Sequence, residues 1–320
     1  MTDLWLPALL VLVGFAGLIW SADKFVGGAA ALANNYGVSK LIIGLTIVAL
    51  GTSAPEVLVS LNASLQGQGD LAIGNALGSN LANIGLVLGA TALIAALPVQ
   101  NHLLKTEMPV LLLITALAGW FLWDAHLSRG EGVALLLALP CAMALIIWSK
   151  RHHPEEIDDD IPNMSRGRAL FWFVFGLAAL VVSSDILVRG ASDLALHFGV
   201  SPLVIGLTVV AVGTSLPELA ASVTSALKGH HDIAIGNVIG SNLFNLLAVM
   251  SLPGVIAPLA MEPAVFHRDY LAMAALTALL ALALLVSAFV YRRRGGPRLG
   301  KLMGVVFLAI YAGYYFILLG

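Results

Sequence analysis

Apolar residues along this chain arrive in long unbroken runs, without the every-second-residue alternation of half-buried strands. Ten such runs lie at about 4–21, 41–65, 71–97, 107–123, 132–149, 168–188, 202–227, 233–260, 271–291 and 299–319. Each is close to the ~20 residues that carry a helix across roughly 30 Å of hydrocarbon. The pattern predicts an all-α polytopic membrane protein of ten transmembrane helices. Composition agrees: 59% of the 320 residues are hydrophobic and 11% charged, more apolar surface than a water-soluble core of this size needs. The first run lacks a basic lead-in and a small-residue cleavage site, so it reads as a retained helix. The one cysteine, Cys141, falls inside the fifth run, which leaves no disulfide framework or thiolate metal site and predicts a small core residue.

The second run is interrupted by GTSAPE (51–56), which places a proline, two hydroxyls and a carboxylate at membrane depth. A partner, GTSLPE (213–218), lies 162 residues later. At that single offset 25 of the 43 residues in 41–83 equal those in 203–245, enough to identify a duplication. Ser21 and Asp23 pair with Ser183 and Asp185 at the same offset, so each repeat includes its opening helix. The chain divides into a first five-helix repeat at 1–149, a linker at 150–167 and a second five-helix repeat at 168–320. Five is odd, so the second repeat enters the membrane from the opposite side, and the repeats are inverted about an axis in the membrane plane.

Basic residues orient the bundle. With both termini on the outer side, 13 of the 16 lysines and arginines fall on the inner side, leaving only Arg129, Arg189 and Arg268 outside. The positive-inside rule therefore predicts outer termini and a cytoplasmic linker in a plasma (inner) membrane. That linker, KRHHPEEIDDDIPNMSRG, reads as a solvated connection between the halves, not as a calcium sensor. Asp23 with Lys24, and Asp185 with Arg189, read as helix-end charges that snorkel or pair. Asp70 and Asp232 read as caps of the helices they precede. Trp120 and Trp123 close the fourth run as interfacial anchors.

Of 18 acidic residues, Glu56 and Glu218 alone fall deep within apolar runs, and they are the same position in the two repeats. An inverted two-fold axis brings them together near the midplane, where an anionic pair can hold cations. Pro55 and Pro217 each lack an N–H and crowd the carbonyl four residues earlier, so kinks with free carbonyls are predicted at Gly51 and Gly213. Broken helices persist at membrane depth where they line a cavity. Those carbonyls, the hydroxyls of Thr52, Ser53, Thr214 and Ser215, and the two carboxylates form an all-oxygen set suited to hard cations such as Na⁺ and Ca²⁺. All eight histidines lie in connections or near helix ends, which counts against zinc or copper. In the next helix of each repeat, Asn75, Ser79 and Asn83 share a face, as do Asn237, Ser241 and Asn245. Gly74 with Gly78, and Gly236 with Gly240, would let that face approach a neighbouring helix.

These residues resemble the calcium/cation antiporter superfamily, the sodium/calcium exchangers and their prokaryotic relatives, whose repeats carry G-T-S-x-P-E and G-N-x-x-G-S-N. The resemblance implies Glu56 and Glu218 as central ligands of Ca²⁺ or Na⁺, with Thr52 and Thr214 beside them. Ser53 and Ser215 follow as flanking Na⁺ ligands, with the carbonyls of Ala49 and Ala211, and Ser79, Asn83, Ser241 and Asn245 complete the implied set. Some relatives carry an aspartate at one of the positions of Asn83 and Asn245; here both are neutral amides. Two carboxylates balance one Ca²⁺ or two Na⁺, and the missing aspartate argues against potassium co-transport. The large cytoplasmic loop of animal exchangers is absent, and with it regulation through such a loop.

A pocket that accepts one divalent or several monovalent ions, and that resists standing empty because its carboxylates repel, supports obligatory exchange by alternating access. Protons compete for the same carboxylates, which keeps a Ca²⁺/H⁺ antiporter open beside the Ca²⁺/Na⁺ antiporter. A passive channel fits less well, since channels build pores from oligomeric symmetry. GQGD (67–70) resembles an intramembrane aspartyl protease motif, but no second intramembrane aspartate exists to pair with Asp70. The chain reads as a transporter and not an enzyme, with no cofactor, and with the lipid bilayer and small cations as its partners. No nucleic acid or protein partner is indicated, and a monomer or weak homodimer is expected.

Overall fold

The computed structural model describes residues 4–100, 102–151, 164–200, 209, 211–290 and 296–319. The helices in chain order are α1 (Trp5–Tyr36), α2 (Lys40–Thr52), α3 (Ala54–Leu65), α4 (Gly69–Ile94), α5 (Leu103–Leu122), α6 (Arg129–Ser149), α7 (Arg166–His197), α8 (Ala211–Thr214), α9 (Leu216–Leu227), α10 (His231–Ile256), α11 (Val265–Val290) and α12 (Lys301–Leu318). Among the described residues eight helices are long and apolar enough to cross a membrane, nine when α2 and α3 count as one bent span. Part of the seventh run, 201–208 and 210, and most of the 150–167 linker lie outside the described residues.

Helix ends depart from the apolar runs, in α1 because protein covers the added turns. α1 and α7 each run 32 residues, well past 21 and 188. The added turns of α1 are rich in Gly and Ala, and Phe25 to Ala33 are buried. α1 and α7 lie against each other through small residues: a Cβ on Gly28 would stand 2.5 Å from the Phe173 nitrogen, and one on Gly176 2.6 Å from that of Phe25. Asp23 takes ion pairs from Lys24 at 3.2 Å and Lys228 at 2.7 Å. Arg189 pairs with Asp185 one turn away at 2.8 Å on an exposed face. Both acids therefore act as paired surface charges.

α4 and α10 form the centre. Of the most apolar window of α10, 94% is buried, against 22% for α1 and 17% for α12. The outer helices can be apolar all round because lipid covers them, whereas the inner pair can carry polar stripes because protein covers those. α10 crosses α2 where side chains are absent. A Cβ on Gly44 would sit 2.8 Å from the Ile233 carbonyl oxygen, and one on Gly236 2.9 Å from that of Leu41. The repeat equivalents of 41–48, residues 203–210, lie largely outside the described residues. Two short antiparallel ribbons link the halves: β1 (Leu97–Pro98) with β4 (Arg298–Leu299), and β2 (His126–Leu127) with β3 (Leu259–Ala260).

The proline breaks fall in the predicted motifs. Pro55 and Pro217 sit in the first turns of α3 and α9, where a missing N–H costs little, and α2 and α3 meet at 45° around Ser53. One expectation is corrected: the Gly213 carbonyl is not free, since Ser184 Oγ of α7 donates to it at 2.9 Å. A hydroxyl from a neighbouring helix is a common remedy for a carbonyl freed by proline. The repeat equivalent of Ser184 is Ala22, which has no hydroxyl to offer Gly51.

Three further expectations change. Cys141 is exposed, because the face of α6 that carries it points away from the bundle. Asp70 and Asp232 are not caps. The cap positions belong to Gln68 and His230, neither with a side-chain capping bond, and the aspartates lie in the first turns. There the helix dipole favours an acid, and Asp232 also accepts both its bonds from Gln100 Nε2 at 2.8 Å. Glu107, at the edge of the fourth run, is fully buried against His102. Its placement near a helix end hid that burial in the sequence.

Two outcomes are expected from this packing. Gly240→Ala drives a methyl into the Leu45 carbonyl and toward Ala49 Cβ, and overpacking of this kind destabilises by about 1–3 kcal/mol. The unfolding temperature in detergent drops, while Gly313→Ala on the exposed face of α12 leaves it unchanged or higher. Ser184→Ala strips the Gly213 carbonyl of its donor and costs about 1–3 kcal/mol; an unaltered melting curve would contradict the role given to Ser184.

Candidate functional site

Glu56 and Glu218 sit one turn beyond the two breaks, in the first turns of α3 and α9, each 1% exposed. Neither forms an ion pair with a lysine, arginine or histidine among the described residues. A buried ionised carboxylate is costly unless paired or bound to a metal, so two in one bundle without a basic partner call for a cation.

Hydroxyls serve the carboxylates asymmetrically. Ser53 Oγ donates across the repeats to Glu218 Oε1 at 3.1 Å, and Ser79 Oγ approaches Glu56 Oε1 at 3.5 Å. The second Oε of each glutamate, Ser215 Oγ, Ser241 Oγ and both polar atoms of the Asn83 and Asn245 side chains are buried with no partner in the protein. Six of the twelve residues named from sequence thus carry unsatisfied buried polar atoms, which mark a place for an ion or water. All but the asparagine nitrogens are oxygen acceptors, the donor set of a hard cation. Among the described residues no three His, Cys, Asp or Glu side chains gather, so the neutral oxygens must supply the remaining coordination.

The other named residues divide. Thr52 is buried, and its hydroxyl donates to Asn237 Oδ1 at 3.0 Å and, more loosely, to the Ala49 carbonyl at 3.4 Å. That carbonyl also accepts the Ser53 N–H at 3.0 Å, so its lone pairs are engaged in this conformation. Ala211 opens α8 and Thr214 closes it, beside Ser215. Asn75 and Asn237 bind main chain and serine: Asn75 Nδ2 donates to Glu56 O and Ser60 Oγ, Asn237 Nδ2 to Glu218 O and Ser222 Oγ.

The backbone marks the same positions. α4 and α10 each switch from α to π geometry at the repeat asparagine, over Asn83–Leu88 and Asn245–Val249, and α2 does so over Gly44–Val48 just before Ala49. Single π turns inside α-helices concentrate at functional sites. Asn80 and Asn242 were not anticipated from sequence; both are buried with unsatisfied amide atoms, and Asn80 Nδ2 donates to Asn242 O at 3.3 Å. Their place in each G-S-N triplet was the available signal.

The sodium/calcium exchanger protein family matches residues 6–148 and 168–320. CaxA of Alkalimonas amylolytica is 45% identical over 97% of this chain and 98% of its own length. The inner membrane protein YrbG of Escherichia coli is 38% identical, covering 94% and 93%. The sodium/calcium exchanger MaX1 of Methanosarcina acetivorans is 31% identical, covering 97% of each. Among solved structures, the sodium-calcium exchanger NCX_Mj without Na⁺ and Ca²⁺ superposes with a TM-score of 0.83 at 31% identity, over 99% of this chain and 100% of that one. With matches this long in both sequence and fold, the chain belongs to the sodium/calcium exchanger family of membrane antiporters, within the calcium/cation antiporter superfamily.

Proposed function

We propose that the protein exchanges Ca²⁺ for Na⁺ across a membrane by alternating access around the pocket between Glu56 and Glu218. The observation that carries this reading is the pair of buried carboxylates with no basic partner, ringed by unsatisfied neutral oxygens. Glu56 and Glu218 bind the cation, Ser53, Ser215, Ser79, Ser241, Thr52 and Thr214 furnish hydroxyls, and Asn83 and Asn245 add amide oxygens. The carbonyls of Ala49 and Ala211 join when the broken helices shift. Two carboxylates balance one Ca²⁺ or two Na⁺, so either load neutralises the pocket and neither binds beside the other without excess positive charge.

The same reading has ten crossings in two inverted repeats, 1–149 and 168–320, joined by the 150–167 linker. The ribbons support it. β1 and β4 lie on one membrane face, which requires an even number of crossings between them. α5, α6, α7, α10 and α11 make five, and a seventh span ending in α9 makes six. β2 with β3 demands the same span. The basic residues orient this bundle with both termini outside and the linker in the cytoplasm.

⁴⁵Ca²⁺ uptake into proteoliposomes loaded with Na⁺, against a Na⁺-free and pH-matched exterior, tests the exchange. Uptake requires internal Na⁺, and Glu56→Gln lowers it at least about 100-fold, the factor that about 3 kcal/mol of lost charge pairing represents. Uptake driven by a proton gradient would keep the pocket and change the coupling ion to H⁺; uptake by the variant equal to wild type would remove Glu56 from the site. A single cysteine at 157 in a Cys141→Ala background reports topology. A membrane-impermeant maleimide labels it in inside-out vesicles only, and labelling from the outer face would invert the orientation.

A further inference from the structure

α4 and α10 carry two kinds of asparagine. Asn83 and Asn245 have both side-chain polar atoms unsatisfied, as ligands awaiting a cation would. Two turns earlier in each helix, Asn75 and Asn237 have committed their amides to the protein. Asn75 Nδ2 donates to the main-chain oxygen of Glu56 at 3.0 Å and to Ser60 Oγ at 2.9 Å. Asn237 Nδ2 repeats this with Glu218 O at 3.4 Å and Ser222 Oγ at 3.0 Å. The same geometry recurs in both repeats and grips the backbone of Glu56 in α3 and Glu218 in α9, the one carboxylate-bearing residue of each of these helices.

That grip matters because the glutamates stand in the first turn of a helix restarted after a proline break, where the preceding backbone is not held by a continuous ladder. An amide donated from the neighbouring helix fixes the α-carbon from which the carboxylate projects. Asn237 does more: its Oδ1 accepts the Thr52 hydroxyl at 3.0 Å, so one fully buried side chain joins the broken helix of the first repeat to the glutamate of the second. Interhelical adhesion alone would be served by the serine contacts; it does not account for the choice of the glutamate carbonyl in both halves.

Resting on the glutamate pocket proposed above, we infer that Asn75 and Asn237 are positioning residues that set where the two carboxylates stand, with Asn237 coupling Thr52 to Glu218. Neither touches the cation. Groups that orient metal ligands typically govern about 10- to 100-fold in affinity.

Equilibrium binding of ⁴⁵Ca²⁺ to the purified full-length protein in detergent tests this, scored on the monodisperse fraction from gel filtration. Wild type binds and Glu218→Gln does not; absence of wild-type binding, or binding unaltered by Glu218→Gln, overturns the pocket and this inference with it. Given a working pocket, Asn75→Ala and Asn237→Ala raise the half-saturating Ca²⁺ concentration at least about tenfold, while Ser60→Ala and Ser222→Ala, which spare the carbonyl contact, raise it less than about threefold. Where an alanine variant does not fold, Asn75→Ser or Asn237→Ser keeps a shorter donor and gives an intermediate shift. Thr52→Val weakens binding by a larger factor in the wild-type background than in Asn237→Ala, the non-additivity of a shared contact. Folded asparagine variants with wild-type half-saturation would reduce these amides to helix adhesion.

Discussion

Two carboxylates enclosed in an apolar bundle, with no lysine or arginine paired to them among the described residues, are the constraint on which the rest of this structure turns. Membrane interiors tolerate an ionisable group only when it faces a cavity or a partner. The surroundings of Glu56 and Glu218 follow from that. Prolines break the helices so that hydroxyls and backbone can converge, serines donate to one oxygen of each carboxylate, and the other oxygen is left without a partner in the protein. An arginine would have neutralised the pair permanently. Without one, that role is open to a mobile ion, as the exchange proposed above requires.

The duplicated motifs are alike in sequence but not in environment. Ser53 and Ser79 reach carboxylates, whereas their equivalents Ser215 and Ser241 have no partner. Ser184 relieves the Gly213 carbonyl, whereas Ala22 can do nothing for Gly51. An alternating transporter exchanges the environments of its repeats as it changes the face it opens. Unequal bonding of equivalent residues in one conformation is what the alternating access proposed above would require.

Close approach of backbones gives the pocket its rigidity. α10 meets α2 over Gly44, Gly236 and Gly240, where a single methyl would collide with carbonyl oxygens. In lipid, helix association gains from packing and hydrogen bonds more than from hydrophobic burial. Small residues on α10 therefore let Asn237 reach both Thr52 and Glu218. The ribbons and the contact of Asp232 with Gln100 tie loops of one repeat to elements of the other.

Much of this was legible because membrane physics writes coarse signals into sequence. Apolar runs the length of a bilayer, a 162-residue offset and two lone glutamates within apolar runs pointed to a polytopic helical membrane protein, to the duplication and to the buried carboxylates of Glu56 and Glu218 without coordinates. Helix ends were misread at α1 and α7, because hydropathy measures the hydrocarbon slab and not the length of a helix; at α1 protein packing covers the added turns. Cys141 could not be assigned a face from an all-apolar run, and Glu107 could not be seen as buried from its place near a helix end. Sequence alone determined which residue types meet the membrane and which positions are equivalent, since both depend on composition and spacing. Only the tertiary structure decided which asparagines hold backbone and which remain unsatisfied, and which carbonyl each hydroxyl reaches. Those outcomes depend on distances of an ångström or less between helices far apart in the chain.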